Sequence, residues 1–199
     1  MSLYPVYSVS ERTVKHREIA SRRHLHTRSI QCHGYERDDG LWDIEATLTD
    51  EKTYSISNHE RGEIRPGDAI HNMSVCLTLD LDLVIRGVRV EMPSTPFLLC
   101  RSASDAMSRL VGLKIEAGWM RKARDLIART ESCTHVMELL GPVSTTAYQT
   151  MHWAIEERER EQSSRDMPAI IDQCKSLARN SAIVKVMWPE FHESSPDNS

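Results

Sequence analysis

The chain has 199 residues, 25 Lys and Arg against 29 Asp and Glu, a net charge of −4 and 40% hydrophobic residues. This length is enough for one buried core, and a mildly acidic chain lacks the basic excess typical of general nucleic-acid binding. No apolar run approaches the roughly 20 residues of a membrane-spanning helix. We therefore predict one main folded domain, with neither nucleic acid nor a membrane as partner.

Cysteine usage and the first residues predict the compartment. The five cysteines are scattered and contain no CxxC pair, which argues against a disulfide framework and a zinc ribbon. The first residues lack the basic-then-apolar pattern of a secretory signal. We expect a cytoplasmic protein.

Residues 1–25 are polar and charged, and a basic stretch runs from Lys15 to Arg28. This composition predicts a charged N-terminal arm or a solvated helix. The alternative is a partial anion site for a carboxylate or phosphate of a substrate.

Residues 28–92 read as about four to five strands of an antiparallel sheet, because the short connections leave no room for crossovers. In Leu41–Thr49, Trp42 and Ile44 alternate with Asp43 and Glu45, which is the period of a half-buried strand. We place a turn at residues 50–51 and a loop at residues 58–67. The predicted strands are Arg28–Glu36, Leu41–Thr49, Lys52–Asn58, Ile70–Asp80 and Leu83–Met92.

After about residue 103 the apolar period becomes helical. We predict that Thr134–Leu140 is halted at Gly141-Pro142, or that Pro142 occupies the first turn of the following helix. Strands followed by helices indicate an α+β domain spanning residues 26–180, with a C-terminal tail at 181–199 that is disordered from Ser194. The predicted helices are Ser104–Leu110, Trp119–Arg129, Thr134–Leu140, a helix with the apolar stripe Val143–Ile155, and Met167–Arg179.

No strong generic catalytic motif is present, so candidates are polar residues at positions where the pattern prefers apolar ones. His71 shares its strand face with Met73, and a neutral imidazole at such a place suits acid/base work or is a satisfied core histidine. Asp43 and Glu45 share the opposite face of their strand. They are an acid/base pair if helices cover that face, and surface residues otherwise.

The segment Cys133–Leu140 brings His135 and Glu138 to one side of a predicted helix at i and i+3. Such a pair is a base with its orienting group, two ligands of a metal, or a solvated pair. A metal would need a third ligand, for which His71, Glu45 or His26 are candidates.

Several residues are candidates for substrate binding. Arg28, next to His26 at the start of the first strand, has the geometry to hold a carboxylate or phenolate, or is a surface arginine. Tyr148 and Gln149 are candidates to orient a substrate oxygen, although Tyr148 also fits a packed position.

A series of short motifs, taken in order, resembles the bacterial family catalogued as domain of unknown function 2889. The resemblance covers roughly residues 22–155 and leaves 1–21 and 156–199 outside. The motifs are His26-Thr-Arg28, Arg37–Ala46, Ile70-His-Asn-Met73, Leu77-Thr-Leu-Asp80, Gly112-Leu, Gly118-Trp119, Cys133-Thr-His135, Glu138-Leu-Leu140 and Thr146–Thr150.

This resemblance implies a role in the catabolism of aromatic compounds or steroids. It also implies lyase chemistry on lignin-derived aromatic dimers, in which a hydroxymethyl carbon leaves as formaldehyde. Two positions depart from the family pattern: Asn72 stands where an aspartate is expected, and Ser132 where a glycine is expected. An aspartate that acts as a base in relatives would have no counterpart at Asn72.

Formaldehyde elimination needs a base and an electron sink but no nicotinamide, flavin or metal, so we predict a cofactor-independent lyase for an aromatic small molecule, with no metal. The alternatives are a non-catalytic accessory protein of a catabolic pathway and a metal-dependent hydrolase or lyase. We also predict a homodimer. The predicted catalytic residues are His71, His135, Glu138 and Glu45, and the predicted substrate-binding residues are His26, Arg28, Trp42, Asp43, Tyr148 and Gln149.

Overall fold

The computed structural model describes residues 20–161, 167–168 and 170–194. Most of the predicted N-terminal arm, residues 1–19, lies outside the described residues, and so does the part of the predicted 181–199 tail from residue 195 onward. The described part of that tail contains a short helix, Ala182–Met187, with a buried Val184. None of the helices in the described part of the chain has the length and apolar character needed to cross a membrane.

The strands of the fold are β1 (His26–Glu36), β2 (Trp42–Lys52), β3 (Ile56–Asn58), β4 (Gly62–Ile64), β5 (Ala69–Leu79) and β6 (Ile85–Ser94). At the centre lies a four-stranded antiparallel sheet with the order β1-β2-β5-β6, and β3 and β4 form a separate hairpin inserted between β2 and β5. The helices are α1 (Trp119–Leu126), α2 (Thr134–Glu161) and α3 (Ala182–Met187), with 3-10 helices at Leu98–Leu110, Lys175–Leu177 and Pro189–Phe191. The predicted α+β class is confirmed.

One face of the sheet is covered by helices, because apolar residues recur at every second position along most of β2 and β5 and make that face apolar. The side chains of Ile44 and Leu48 on β2 and of Val75 and Leu77 on β5 are fully buried on this face. The long helix α2 contacts β1, β2 and β5 and adds its own buried apolar residues to the same core. The buried residues of α2 are Val136, Leu139, Leu140, Val143, Ala147 and Met151.

Helix α2 approaches the edge strand β1 very closely at Gly34. A Cβ atom at this position would lie 1.8 Å from Oγ1 of Thr150. Only a glycine therefore allows this spacing between helix and strand, which fixes the position of α2 over β1.

Two strand predictions are wrong. Residues 50–51 are not a turn, because β2 continues to Lys52 and pairs with β1 on one side and β5 on the other. Lys52–Asn58 is consequently not the hairpin partner of β2. The end of this predicted strand is β3, which pairs with β4, and β4 lies within the segment 58–67 that was predicted to be a loop.

The helix predictions need three corrections. Helix α2 runs through Pro142, because the packing of Leu140 and Val143 in the core outweighs the one backbone hydrogen bond that proline removes. Met167–Arg179 is not a helix where it is described: Asp172 has φ +64°, and a 3-10 turn follows. Residues 98–110 form a 3-10 helix that starts earlier than predicted.

Candidate acid–base site

Three neighbouring strands place three polar side chains side by side at one end of the helix-covered face. Asp50 on β2 is directly opposite Arg28 on β1 and directly opposite His71 on β5. Directly opposed residues on adjacent antiparallel strands have neighbouring side chains. The register of the sheet therefore builds a row of arginine, aspartate and histidine.

Asp50 is the centre of this cluster and is only 2% exposed. Its Oδ1 accepts a hydrogen bond from Nε of Arg28 at 2.8 Å, and its Oδ2 accepts one from Nη2 at 2.8 Å. His71 lies against the same carboxylate, with Nδ1 2.9 Å from Oδ2, and Nε2 of His26 is 3.1 Å from Oδ1. Both carboxylate oxygens are thus occupied, which is what allows a buried aspartate to remain charged.

The first two turns of α2 complete the cluster from above the sheet. The ring of His135 is stacked on the ring of His71, with centroids 3.8 Å apart and an interplanar angle of 31°. Glu138, one turn further along, accepts a hydrogen bond from Nη1 of Arg28 at 2.7 Å. Cys133, just before the helix, has its Sγ 3.7 Å from Nδ1 of His135.

The protonation states follow from this geometry. Burial on its own would raise the pKa of Asp50, but the hydrogen bonds and charge of Arg28, together with the hydrogen bond from His71, lower it to about 2. Burial lowers the pKa of His71, and the neighbouring His135 lowers it further. Burial and the positive charge of Arg28 likewise lower the pKa of His135. At pH 7 the site therefore holds an ionised aspartate and two neutral imidazoles.

An ionised aspartate beside a neutral histidine is an arrangement for general acid–base catalysis. Because the carboxylate of Asp50 can only accept, Nδ1 of His71 carries the proton and donates it to Oδ2. This fixes the tautomer and leaves Nε2 of His71 free to take a proton from a substrate. The imidazolium that forms would be stabilised by the same carboxylate.

The same residues are also within reach of a metal ion. One ligand atom each from Asp50, His71 and His135 lies within 4.8 Å of the others. Two features of the cluster oppose this use: the carboxylate already binds the guanidinium of Arg28 through both oxygens, and the imidazole rings are stacked.

Of the residues predicted for the site, the structure brings together His26, Arg28, His71, His135 and Glu138. Arg28, predicted to clamp a substrate anion, instead holds Asp50 and Glu138 with its three donor nitrogens.

The other predicted residues lie elsewhere. Glu45 and Asp43 are on the opposite face of the sheet, where Glu45 pairs with Arg89 and Asp43 accepts from Thr78. Trp42 is part of the core, Tyr148 donates to the backbone oxygen of Ile115, and Gln149 is exposed. Their separation from His71 follows from the period of two in β2 and from their positions along α2.

Asp50 is the central residue that the sequence analysis did not select. The signal was available, because Trp42, Ile44, Ala46 and Leu48 mark every second residue as buried and Asp50 is the next in that series. Reading residues 50–51 as a turn removed Asp50 from the strand. A carboxylate in phase with a buried apolar face is the pattern that would have found it.

Together the fold and the cluster define an α+β protein with a buried aspartate between an arginine and a histidine, under the first turns of a long helix. The chain belongs to the family described as protein of unknown function (DUF2889), whose model matches residues 26–149, more than half of the chain. The match takes in the whole Arg28–Asp50–His71 row and His135. No curated protein and no solved structure matches the chain. Asn72, which departs from the family pattern described above, pairs with Thr49 on β2 and lies on the face of β5 opposite to His71.

Proposed function

We propose that the protein is a cofactor-independent carbon–carbon lyase that acts on an aromatic catabolite and releases formaldehyde by acid–base elimination. The observation that carries the acid–base part is the contact between the buried Asp50 and His71, at 2.9 Å, with His135 stacked on the same ring. The aromatic substrate class is supported only by the family resemblance.

The reaction is redox neutral and needs only proton transfers. The substrate is a phenol with an oxygen leaving group on the para benzylic carbon and a hydroxymethyl group on the next carbon. The phenolate expels the leaving group and becomes a quinone methide. Removal of the hydroxymethyl proton then turns that O–H electron pair into the C=O bond of formaldehyde. The pair of the broken C–C bond forms the new alkene, and the displaced ring electrons restore the phenolate.

Each residue of the cluster has a chemical task in this proposal. Nε2 of His71 takes the hydroxymethyl proton, and Asp50 holds and stabilises the resulting imidazolium. His135 provides the second imidazole, and its neutral N–H donates a hydrogen bond to the leaving oxygen. The proton that His71 removes from the hydroxymethyl group is finally returned to that oxygen, so the proton transfers balance. Arg28, held by Glu138, keeps Asp50 ionised and in place, and so acts as a positioning residue.

The test is formaldehyde release from a panel of phenolic dimers by the wild-type protein and by the variants His71→Gln and His135→Gln. We expect at least one of these variants to lose about 100-fold or more in kcat, which is the usual contribution of a general base. His152→Gln is the matched control. His152 is an exposed histidine on α2, the helix that also carries His135, and it pairs with Glu156. Wild-type rates in both cluster variants, with unchanged circular dichroism, would reject the assignment.

A second candidate is a metal-dependent lyase or hydrolase, which is favoured by the 4.8 Å grouping of Asp50, His71 and His135. Elemental analysis of the purified protein separates the two candidates. One equivalent of bound metal that is lost in His71→Ala and Asp50→Ala would make these side chains ligands rather than acid–base groups.

The proposal places the enzyme in the cytoplasm as a homodimer with a small-molecule substrate. Homodimers are the commonest assembly of soluble oligomeric proteins. Sedimentation at micromolar concentration tests this point, and a single monomer mass would refute it.

A further inference from the structure

The segment that leads into β1 carries two arginines and reaches the acid–base site at His26. A concavity of about 540 Å³ is lined by residues 22–26, among them Arg22, Arg23 and His26. Nε2 of His26 is also 3.1 Å from Oδ1 of Asp50. One histidine therefore belongs both to this concavity and to the acid–base site.

The segment that forms the concavity is held against the end of β2. The hydroxyl of Thr53 donates to the backbone oxygen of His24 at 2.8 Å, and the backbone nitrogen of Thr53 donates to Leu25. The ring of His24 contacts the hydroxyl of Thr27 and the backbone oxygen of His26, each at 3.0 Å. These contacts fix where the segment places its side chains relative to the start of β1.

Arg22 and Arg23 are exposed and have no hydrogen bond or ion pair with any other described residue. Arg28 differs, because its donors are taken by Asp50 and Glu138. A guanidinium is always charged and binds oxyanions through two parallel N–H donors. Within the described part of the chain, the guanidiniums of Arg22 and Arg23 are thus available to an anionic ligand, whereas that of Arg28 is not.

We infer that Arg22, Arg23 and His26 form an oxyanion subsite that binds a carboxylate or phosphate group of the substrate next to His71. The inference rests on the proposed function in one respect, which is that the bound anion is part of a substrate. It narrows the substrate class to aromatic compounds that carry a carboxylate or phosphate group. The binding of an anion does not itself depend on turnover.

The experiment is a nuclear magnetic resonance titration of the full-length protein with benzoate, phenyl phosphate and the uncharged benzyl alcohol, followed at the amide signals of residues 20–28. The variants are Arg22→Ala/Arg23→Ala and the charge-preserving Arg22→Lys/Arg23→Lys. The control is Arg121→Ala/Arg124→Ala, which removes the same charge from the exposed side of α1.

We expect benzoate or phenyl phosphate to shift these signals with a Kd of about 1–10 mM, as is typical of a fragment with few atoms. The double alanine variant should weaken this binding by about tenfold or more, the lysine variant less, and the control by less than about twofold. The tighter of the two anions identifies the group that the substrate carries.

The inference is overturned if neither anion shifts the signals at about 50 mM, well above the millimolar Kd of a fragment. It is also overturned if benzyl alcohol binds as tightly, or if the double alanine variant binds like the control. Loss of anion binding in the double alanine variant, together with no formaldehyde release from any dimer, would keep the subsite and reject the lyase. Formaldehyde release from a dimer, together with unchanged anion binding in the double alanine variant, would reject only the subsite.

Discussion

Replacement of Asp50 by Asn tests the electrostatic basis of the site. The substitution keeps the shape of the side chain but removes the negative charge that Arg28 and His71 share. Because Asp50 is 2% exposed, bulk water can replace these interactions only by entering the site.

The pH dependence of stability gives the magnitude. The pKa of Asp50 falls from 3.8 to about 2 on folding, so its ionisation contributes roughly 2.5 kcal/mol to the free energy of unfolding above pH 5. A depressed pKa in the folded state means that this contribution is present above the unfolded pKa and is lost as pH falls through the folded pKa. About half of it should be gone by pH 3.

The assay is urea unfolding of the wild type and of Asp50→Asn between pH 3 and pH 7. Fluorescence of the buried Trp42 and Trp119 reports the transition. We expect the variant to be less stable by about 2–3 kcal/mol at pH 7, and the difference to narrow by roughly 1–1.5 kcal/mol at pH 3. Asp38→Asn, at an exposed position in the turn between β1 and β2, is the control. Parallel pH profiles for the wild type and Asp50→Asn would show that the reasoning is wrong.

Two further substitutions and one cysteine-labelling reaction test the packing, the ion pairing and the burial that the structure shows. Gly34→Ala should cost roughly 1–3 kcal/mol in urea unfolding, because its Cβ would meet Thr150 at 1.8 Å; unchanged stability would contradict the close packing. Glu138→Gln should change the free energy of unfolding by less than about 1 kcal/mol, since this ion pair is half exposed. Iodoacetamide followed by mass spectrometry should label the exposed Cys174 long before Cys76, whose pKa is raised to about 11 by burial; equal rates would refute this.

The sequence by itself determined which residues of each central strand face the core. Alternation of apolar and polar residues in β2 and β5 requires one buried and one polar face whatever their partners are. It correctly separated Trp42 and Ile44 from Asp43 and Glu45. Residues 134–161 also carry a helical apolar period, so that α2 was predictable in kind and in its inward side, although not in its length.

Only the tertiary structure decided which polar residues meet. Arg28, Asp50 and His71 are far apart in the chain and become neighbours through the register of three strands, which depends on pairing that a single strand does not encode. His135 reaches them because α2 lies over this end of the sheet, and the contact of Gly34 with Thr150 sets that position. The burial of Asp50 and the continuation of α2 through Pro142 have the same physical reason. For Asp50, the hydrogen bonds from Arg28 and His71 offset the cost of burying a charge. For Pro142, the packing of Leu140 and Val143 in the core offsets the cost of the missing backbone hydrogen bond.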